Sequence, residues 1–351
     1  MIIKENNANF SLLKSTLKYI LYVLVSLIFT KYYYLLTYES YPPAYASNVA
    51  EFTADKVFQK RFLVPLLSKY TSEVTMLDFD QSLKAYTVIS TLLLILSFGS
   101  ILRNLSPGIN TYFWSFFVLI PVTWNYSFLN SIYHAYDIPT LAFYCVALSF
   151  YINKNYILFY CVFLLATFNR ESTCFITITI FLIFFRFDNI KSFSFIVRNN
   201  LFLLKNLLIQ SLLWTSTIIM IRYIVKDNPG VIYENPYSAI KFLNDIIEGN
   251  ISWPFLNNDH FFSNPRSFLT LFAGIWVFIP LLWSEIPLMV RKLLLFIPIY
   301  IVPLYLYANI METRVYHELN IIISLVSVCA LHNFIQSNFK KHKDLCHANC
   351  P

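Results

Sequence analysis

The sequence is poor in glycine, in charge and in usefully spaced cysteines, and each shortage excludes a class of protein. Only five of the 351 residues are glycine. Glycine-rich phosphate loops need two or three glycines within about six residues, and no pair here is that close, so Walker and Rossmann loops are excluded. Charged residues make up 13% of the chain, whereas soluble domains carry roughly 25%. Four of the six cysteines lie inside apolar runs, where cysteine acts as a small hydrophobe. A cytosolic enzyme, a disordered chain and a disulfide scaffold are therefore excluded.

Hydrophobic residues are correspondingly abundant, at 57% of the chain, with 34 Phe, 25 Tyr and 6 Trp. Apolar runs of about 20 residues are long enough to cross a bilayer as helices, and shorter ones suffice inside a bundle. The sequence predicts an all-α, polytopic transmembrane helix bundle of about ten spans, forming a single integral-membrane domain over 1–351. The predicted spans are 17–36, 85–102, 110–124, 138–152, 156–168, 173–187, 206–224, 267–284, 293–308 and 319–335.

The positions of the basic residues predict the orientation. Lysine and arginine in short loops favour the cytoplasmic side, and placing both termini there puts 14 of the 26 basic residues in short cytoplasmic segments. Only four of the 19 acidic residues then lie inside. Membrane topology thus explains the net charge of +7 without a nucleic-acid partner. We predict a multi-pass protein of the plasma (inner) membrane whose working face is extracytoplasmic.

Two long outer loops, 37–84 and 226–266, are predicted to carry helices that lie in the membrane interface. In the first loop, Glu51 and Asp55 stand four positions apart, so a continuous helix would place both carboxylates on one stripe. Like charges at that spacing cost a few tenths of a kcal/mol, which a catalytic site would justify. The alternative is a solvated face balanced by Lys56 and Lys60, and both interpretations stay open.

Ionisable residues also occur at the predicted outer boundary of two spans. Arg170 and Glu171 lie between two apolar runs, and Glu312, Arg314 and Glu318 precede the last span. Charges at such depth are costly and are functional hypotheses by default, and the arginine fork suits a phosphate group. The alternatives are a self-neutralising turn for Arg170 and Glu171, and a structural salt bridge between Arg314 and Glu318.

A third group precedes the span at 138–152. Asp137 is a single carboxylate beside His134 and two tyrosines, Tyr133 and Tyr136. Such groups bind sugars by stacking and hydrogen bonding. Aromatic residues at a membrane interface are more often part of the aromatic belt, and that alternative is favoured for His134.

Several of these segments together resemble a known family. They are Arg61-Phe-Leu-Val-Pro65-Leu-Leu, Asp137-Ile-Pro139-Thr-Leu, Asn169-Arg170-Glu171 and Glu312-Thr-Arg314-Val-Tyr-x-Glu318. With a first span followed by a long acidic outer loop, they resemble uncharacterised bacterial members of the C-type (GT-C) superfamily of integral-membrane glycosyltransferases.

The resemblance implies an inverting or related transfer from a polyprenyl-phosphate-linked sugar to a glycan or lipid acceptor of the cell envelope. The family's catalytic acid lies in the first outer loop, which implies Asp55 first, Glu51 second and Glu39 as a minor candidate. No cofactor is evident, and a divalent metal is possible. The residues implied in substrate binding are Arg61, Asp137, His134, Arg170, Glu171, Glu312, Arg314 and Glu318.

Two alternatives to this function remain. One is an O-antigen or polysaccharide polymerase or ligase, which also combines many spans with a long outer loop and key arginines. The other is a non-enzymatic transporter of a lipid or solute. An outer cavity that holds Asp55 or Glu51 together with Arg170 or Arg314 would favour an enzyme, whereas a midplane cavity without carboxylates would favour transport.

Overall fold

The computed structural model describes residues 2–38, 42–128, 132–185, 193–230, 270–307 and 313–348. Only the backbone is described for 2–15, 193–196, 305–307, 314 and 341–348. Within the described ranges the secondary structure is helical, apart from one isolated parallel bridge between Tyr38 and Ile132. The predicted all-α class is confirmed for this part of the chain.

The helices vary widely in length. The α-helices are Ile2–Leu36 (α1), Ala46–Ala50 (α2), Lys56–Gln59 (α3), Leu63–Val74 (α4), Phe79–Leu105 (α5), Thr111–Trp114 (α6), Leu119–Thr123 (α7), Asp137–Ile152 (α8), Tyr156–Asn169 (α9), Cys174–Phe184 (α10), Phe193–Ile224 (α11), Phe278–Leu281 (α12), Leu288–Arg291 (α13), Phe296–Tyr307 (α14) and His317–Ala348 (α15). Short 3₁₀ helices cover Pro42–Ala44, Ser115–Val118, Glu171–Thr173, Leu271–Val277, Trp283–Glu285, Lys292–Leu295 and Thr313–Tyr316, and Trp124–Phe128 is a π-helix.

Four of the described helical segments are long and apolar enough to cross a membrane. They are Thr16–Leu36, Phe79–Leu105, Val197–Ile224 and His317–Lys340. These correspond to the spans predicted at 17–36, 85–102, 206–224 and 319–335. The helices are consistent with a membrane protein.

The other predicted spans are shorter or interrupted, so the count of ten stays a prediction. Apolar helices of 10–17 residues cover Asp137–Ile152, Tyr156–Asn169, Glu171–Phe184 and Leu271–Leu281. The run predicted at 110–124 is divided among short α, 3₁₀ and π pieces, and α14 contains Pro303. The first long loop holds α2, α3 and α4. Most of the second, from residue 231 onward, lies outside the described residues.

Helix α5 is the central element of the bundle and packs against α1, α4 and α8. A close approach is possible at Gly99, where an added Cβ would lie 3.1 Å from the Ser115 Cβ. The turn between α8 and α9 is only Asn153, Lys154 and Asn155, so the two helices are antiparallel. The first residue of α8 and the last of α9 therefore lie at the same end of the bundle.

The first outer loop is attached to the end of α11. The Asn228 side chain donates to the backbone oxygens of Phe52 and Ala54, both at 2.9 Å, and the Lys56 amide donates to the Pro229 oxygen at 2.9 Å. A separate apolar cluster completes the attachment, formed by Ala44, Val49, Ala54, Val57, Phe58, Phe62 and Ile221. These contacts fix α3 and the residues that follow it against α11.

A buried asparagine holds the beginning of α15 in place. Asn125, within the π-helix, donates to the Asn320 side chain at 2.9 Å, and its backbone oxygen accepts from the Thr313 hydroxyl at 2.6 Å. Its side-chain oxygen also accepts the Phe272 amide at 3.0 Å. Phe272 begins a turn of three left-handed residues, with φ of 58°, 56° and 68° through Gly274. Non-glycine residues rarely adopt this region, so Asn125 stabilises an unusual turn and anchors the start of α15.

Candidate functional site

Seven ionisable side chains come together at one end of the bundle, and we call them the charged layer. Short connections bring the first turns of α8 and α10 to the same end as the last turn of α9. The contact of His317 with Asp137 places the first turn of α15 there as well. Carboxylates in a first helical turn are stabilised by the helix dipole, and Asp137 and Glu318 occupy such positions. The charged layer consists of Lys60, Arg61, Asp137, Arg170, Glu171, His317 and Glu318.

Asp137 is the most enclosed carboxylate of the charged layer. Its side chain is 0% exposed, and its Oδ1 lies 3.5 Å from Arg170 Nη1 and 3.6 Å from His317 Nε2. His317 is also 0% exposed and lies 5.3 Å, ring to ring, from Tyr126. Buried charges must be paired to be tolerated. Arg170 is therefore the charged partner of Asp137, and His317 packs against the same carboxylate, so the three side chains join α8, α15 and the turn after α9.

Glu171 is the second carboxylate and is surrounded by cations. Its Oε1 lies 2.7 Å from Lys60 Nζ and 3.4 Å from Arg61 Nη2. Burial by itself raises the pKa of Glu171, but the charges of Lys60, Arg61 and Arg170 outweigh it and hold that pKa well below the usual range. Trp214 of α11 donates its indole N–H to the Glu171 backbone oxygen at 2.8 Å. Glu171 is therefore ionised and fixed against α11.

Two guanidinium groups converge on the ring of Tyr136. The Cζ of Arg61 lies 4.8 Å from the ring centroid, and that of Arg170 lies 5.8 Å away. Arg61 Nη1 also donates to the Tyr136 hydroxyl at 2.7 Å. The two arginine side chains are 12% and 11% exposed. Paired, largely desolvated guanidinium groups provide the bidentate geometry that binds phosphate or carboxylate.

Glu318 extends the charged layer toward α14. It accepts a hydrogen bond from the Tyr300 hydroxyl, and that hydroxyl also lies 2.6 Å from the Val315 oxygen. Asn169, the last residue of α9, connects that helix to α8: its side chain donates to the Tyr136 backbone oxygen at 3.1 Å and to the Thr140 hydroxyl at 2.9 Å. Glu318 thus interacts with both Tyr300 and Ser172. The predicted Arg314–Glu318 pair depends on a side chain outside the described part of the chain.

His134 is packed between two aromatic rings. It stacks on Phe58 at 6.0 Å with an interplanar angle of 7°, and on Tyr136 at 5.2 Å with an angle of 26°. The residue is 5% exposed. Such stacking holds α3 against the residue before α8, so His134 positions Tyr136 beside the arginines.

The predicted shared stripe of Glu51 and Asp55 is wrong. Helix α2 ends at Ala50, Phe52 has a φ of 58°, and α3 begins only at Lys56. A residue with positive φ interrupts the helix, so the i, i+4 relation does not hold. Glu51 is exposed and lies 2.8 Å from Lys69 Nζ, whereas Asp55 is half-buried and precedes α3.

The structure thus brings six of the predicted substrate-binding residues into or against the charged layer. These are Arg61, Asp137, His134, Arg170, Glu171 and Glu318. Glu39 and Glu312 lie outside the described residues, as does the side chain of Arg314. Two members of the charged layer were not assigned a site role from the sequence. Lys60 was interpreted only as a balancing charge, and His317 received no role, whereas Tyr136 was grouped with Asp137 and His134.

A cavity of about 60 Å³ lies beside Glu171. Lys56 and Lys60 line one side, and α11 forms the opposite wall. Asp55 and Glu51 are not among its described lining residues, so the predicted combination of an outer-loop acid with Arg170 is not found in this cavity. The lining residues are Lys56, Lys60, Glu171, Trp214, Ile218, Ile221, Arg222 and Val225.

The Glu171 ion pairs are expected to make stability depend on pH in a defined direction. Because the pKa of Glu171 is lower in the folded protein, its contribution is fully present above the unfolded value of about 4.3 and is lost as pH falls through the folded value. Glu171→Gln should cost roughly 1–3 kcal/mol at pH 7, since Lys60 and Arg61 lose their partner. The measurement is thermal unfolding of parent and variant between pH 8 and 3.5.

The difference in unfolding temperature between the parent and Glu171→Gln should be constant from pH 8 to about 5. It should narrow only below the ordinary carboxyl pKa of about 4.3. Glu73→Gln is the control, because Glu73 lies on α4 outside the charged layer. A difference in unfolding temperature that disappears already between pH 7 and 6 would contradict the ionised state assigned to Glu171.

Over the ranges that the structure describes, no group of three or more His, Cys, Asp or Glu side chains has the arrangement needed to hold a metal ion. Comparison of the chain with family models, with curated proteins and with solved structures finds no match.

Proposed function

We propose that this protein is a membrane glycosyltransferase that moves a sugar from a polyprenyl-phosphate donor to a glycan or lipid acceptor of the cell envelope. The observation that carries the proposal is the pair of desolvated guanidinium groups, Arg61 and Arg170, whose Cζ atoms lie 4.8 and 5.8 Å from the ring centroid of Tyr136. They lie at one end of an apolar helix bundle, where the phosphate of a membrane-embedded lipid can reach them. The sequence has no glycine loop for a nucleotide-linked donor.

The proposed chemistry assigns the arginines and Asp55 separate roles. Asp55 accepts the proton of the acceptor hydroxyl, and the hydroxyl oxygen forms a bond to the anomeric carbon of the donor sugar. The bond between that carbon and the phosphate oxygen breaks, and the lipid phosphate leaves with the electron pair. Arg61 and Arg170 stabilise the negative charge that develops on the leaving phosphate.

The proposal includes a location. The protein lies in the plasma membrane with both termini in the cytoplasm, and the charged layer faces the outer side. Support comes from the distribution of basic residues among the short loops and from the predominance of acidic residues in the remaining segments. A donor flipped to the outer leaflet would then meet the arginines directly.

Arginine-to-lysine substitutions test the phosphate role. Arg61→Lys and Arg170→Lys keep the charge but lose the bidentate fork. Losing a hydrogen bond to a charged group costs about 1.5–3 kcal/mol, so transfer should fall about 10-fold to 100-fold in each variant. The measurement is transfer of radiolabelled hexose from polyprenyl-phosphate hexoses in membranes that contain the parent or a variant.

Arg103→Lys is the matched control, since Arg103 lies in the last turn of α5, away from the charged layer. It should transfer sugar at the parental rate. Parental rates in both Arg61→Lys and Arg170→Lys would show that these side chains do not hold the leaving phosphate.

A proton-coupled transporter is the second candidate. It is favoured by one observation, the burial of Asp137, His317 and Glu318 at 0–1% exposure within an apolar bundle. Buried ionisable groups of this kind form proton relays in pumps and transporters. Uptake of a solute driven by an imposed pH gradient in proteoliposomes, without any sugar transfer, would favour this candidate over the enzyme.

A further inference from the structure

The cavity beside Glu171 combines one charged side with one apolar side. Three cations line it, Lys56, Lys60 and Arg222, against the single carboxylate of Glu171. Basic side chains thus predominate among the described lining residues. A group of cationic donors around one cavity attracts an anion.

The electrostatics of Lys60 and Glu171 agree with an anion site. The Lys60 side chain is 12% exposed. Burial is the main reason that its pKa is lowered, and the charges of Arg61 and Arg170 act in the same direction, although Glu171 opposes them. The same cations hold the pKa of Glu171 down. Lys60 and Glu171 therefore form one closely interacting pair at the edge of the cavity, and Lys56 and Arg222 add two further cationic donors to its lining.

The opposite wall of the cavity is apolar and belongs to one helix face. Trp214, Ile218, Ile221 and Val225 recur at spacings of three and four along α11 and its continuation, so they form one stripe. Of the four described segments that could span a membrane, Val197–Ile224 is the least buried, with 17% of its most apolar window enclosed. The cavity therefore lies between a cationic loop and a helix that faces lipid.

The size of the cavity suits a small headgroup. One water needs roughly 10–15 Å³ of such space, so about 60 Å³ accommodates a group of several heavy atoms. We propose that the cavity between α3 and α11 binds the phosphate headgroup of a membrane lipid, whose hydrocarbon chain lies along α11. Lys56, Lys60 and Arg222 hold the phosphate, and Ile218 and Ile221 contact the first carbons of the chain.

This site adjoins the one in the proposed function, because Lys60 and Glu171 of the charged layer also line the cavity. The transferase proposal depends on Arg61, Arg170 and Asp55, whereas the lipid site depends on Lys56, Lys60 and Arg222. Binding is measured without any sugar transfer, so failure of one proposal leaves the other standing.

The test is titration of the purified full-length chain in detergent with farnesyl phosphate, farnesol and inorganic phosphate, followed by calorimetry. Farnesyl phosphate should bind saturably, and the other two at least about 10-fold more weakly, because each lacks half of the interactions. Equal affinity for inorganic phosphate would reduce the cavity to a free-anion site. Equal affinity for farnesol would show that the phosphate group does not contribute to binding. Either result overturns the proposal.

Matched lysine variants locate the binding. Lys60→Gln and Lys69→Gln remove the same charge from the same loop, and each lysine pairs with one glutamate, at 2.7 and 2.8 Å respectively. Lys60→Gln should weaken farnesyl phosphate at least about 10-fold, and Lys69→Gln should leave its affinity unchanged. Equal effects of the two variants would show that binding is not at this cavity.

Two further variants keep the test decisive if Lys60→Gln does not fold. Arg222 is exposed, so Arg222→Gln should fold normally and still weaken farnesyl phosphate. Ile218→Trp fills the apolar side and leaves all three cations in place, and it should abolish farnesyl phosphate binding. Parental affinity in both folded variants would overturn the proposal.

Discussion

Transfer of sugar by the Asp55→Asn variant is expected to fall about 100-fold or more below that of the parent, because general-base catalysis contributes about 10²–10⁴-fold. Asparagine keeps the shape of the side chain and removes its basicity. Asp55 is half-buried at the start of α3, and its carboxyl would lie only 3.0 Å from a Cβ added at Gly230. Transfer of radiolabelled hexose from polyprenyl-phosphate hexoses measures the effect, and thermal unfolding checks that the variant folds.

Glu51→Gln is the natural comparison for Asp55→Asn. Glu51 is exposed and paired with Lys69, and the helix break at Phe52 separates it from Asp55. Its variant should transfer sugar at the parental rate, because an exposed ion pair contributes little to the fold. Full transfer by folded Asp55→Asn would refute its role as base and move that role to Asp137 or Glu171.

The Asp137→Asn variant is expected to lose about 3–5 kcal/mol of stability, the cost of breaking a buried ion pair. Arg170 would remain buried with its partner 3.5 Å away neutralised, and His317 would lose its neighbour at 3.6 Å. The measurement is thermal unfolding in detergent with a thiol-reactive dye. Cys145 and Cys329 are buried, so they react only when the bundle opens.

Two comparisons make the Asp137 result interpretable. Asp227→Asn changes an exposed aspartate and should unfold at the parental temperature. The double variant Asp137→Asn/Arg170→Gln should be less destabilised than the sum of the single variants, because residues in one network are not additive. Strict additivity would show that Asp137 and Arg170 do not interact, and parental stability of Asp137→Asn would contradict the paired buried charge.

The long apolar runs were predictable from the sequence because each is determined locally. The segments 17–36, 85–102, 206–224 and 319–335 all coincide with described helices of sufficient length. Local breaks limit some of the remaining spans, as in the run at 110–124, which is divided among short α, 3₁₀ and π pieces. The hydrophobicity of a run indicates its length and composition. It does not reveal a break in the helix, because neighbouring helices can satisfy the backbone groups that the break frees.

The grouping of Arg170, Glu171 and Glu318 was anticipated by their similar predicted depth. Depth does not specify which helices are neighbours, and for that reason the pairing of Asp137 with His317 could not be predicted. Lys60 was missed for a related reason, since on a continuous surface helix it would be solvated. The positive φ at Phe52 redirects the chain, and Lys60 turns inward to Glu171.

The charged layer also has a consequence for biogenesis. Asp137 is made early, in the first turn of α8, while one of its neighbours, His317, lies on α15, which is made after all the other described helices. Until α15 is made, the ion pair of Asp137 and Arg170 lacks one of the side chains that enclose it. The last described helix thus completes the enclosure of an early ion pair. A chain that stalls before α15 would leave this pair less enclosed than in the finished protein, where an ion pair outside a fully packed site is weaker.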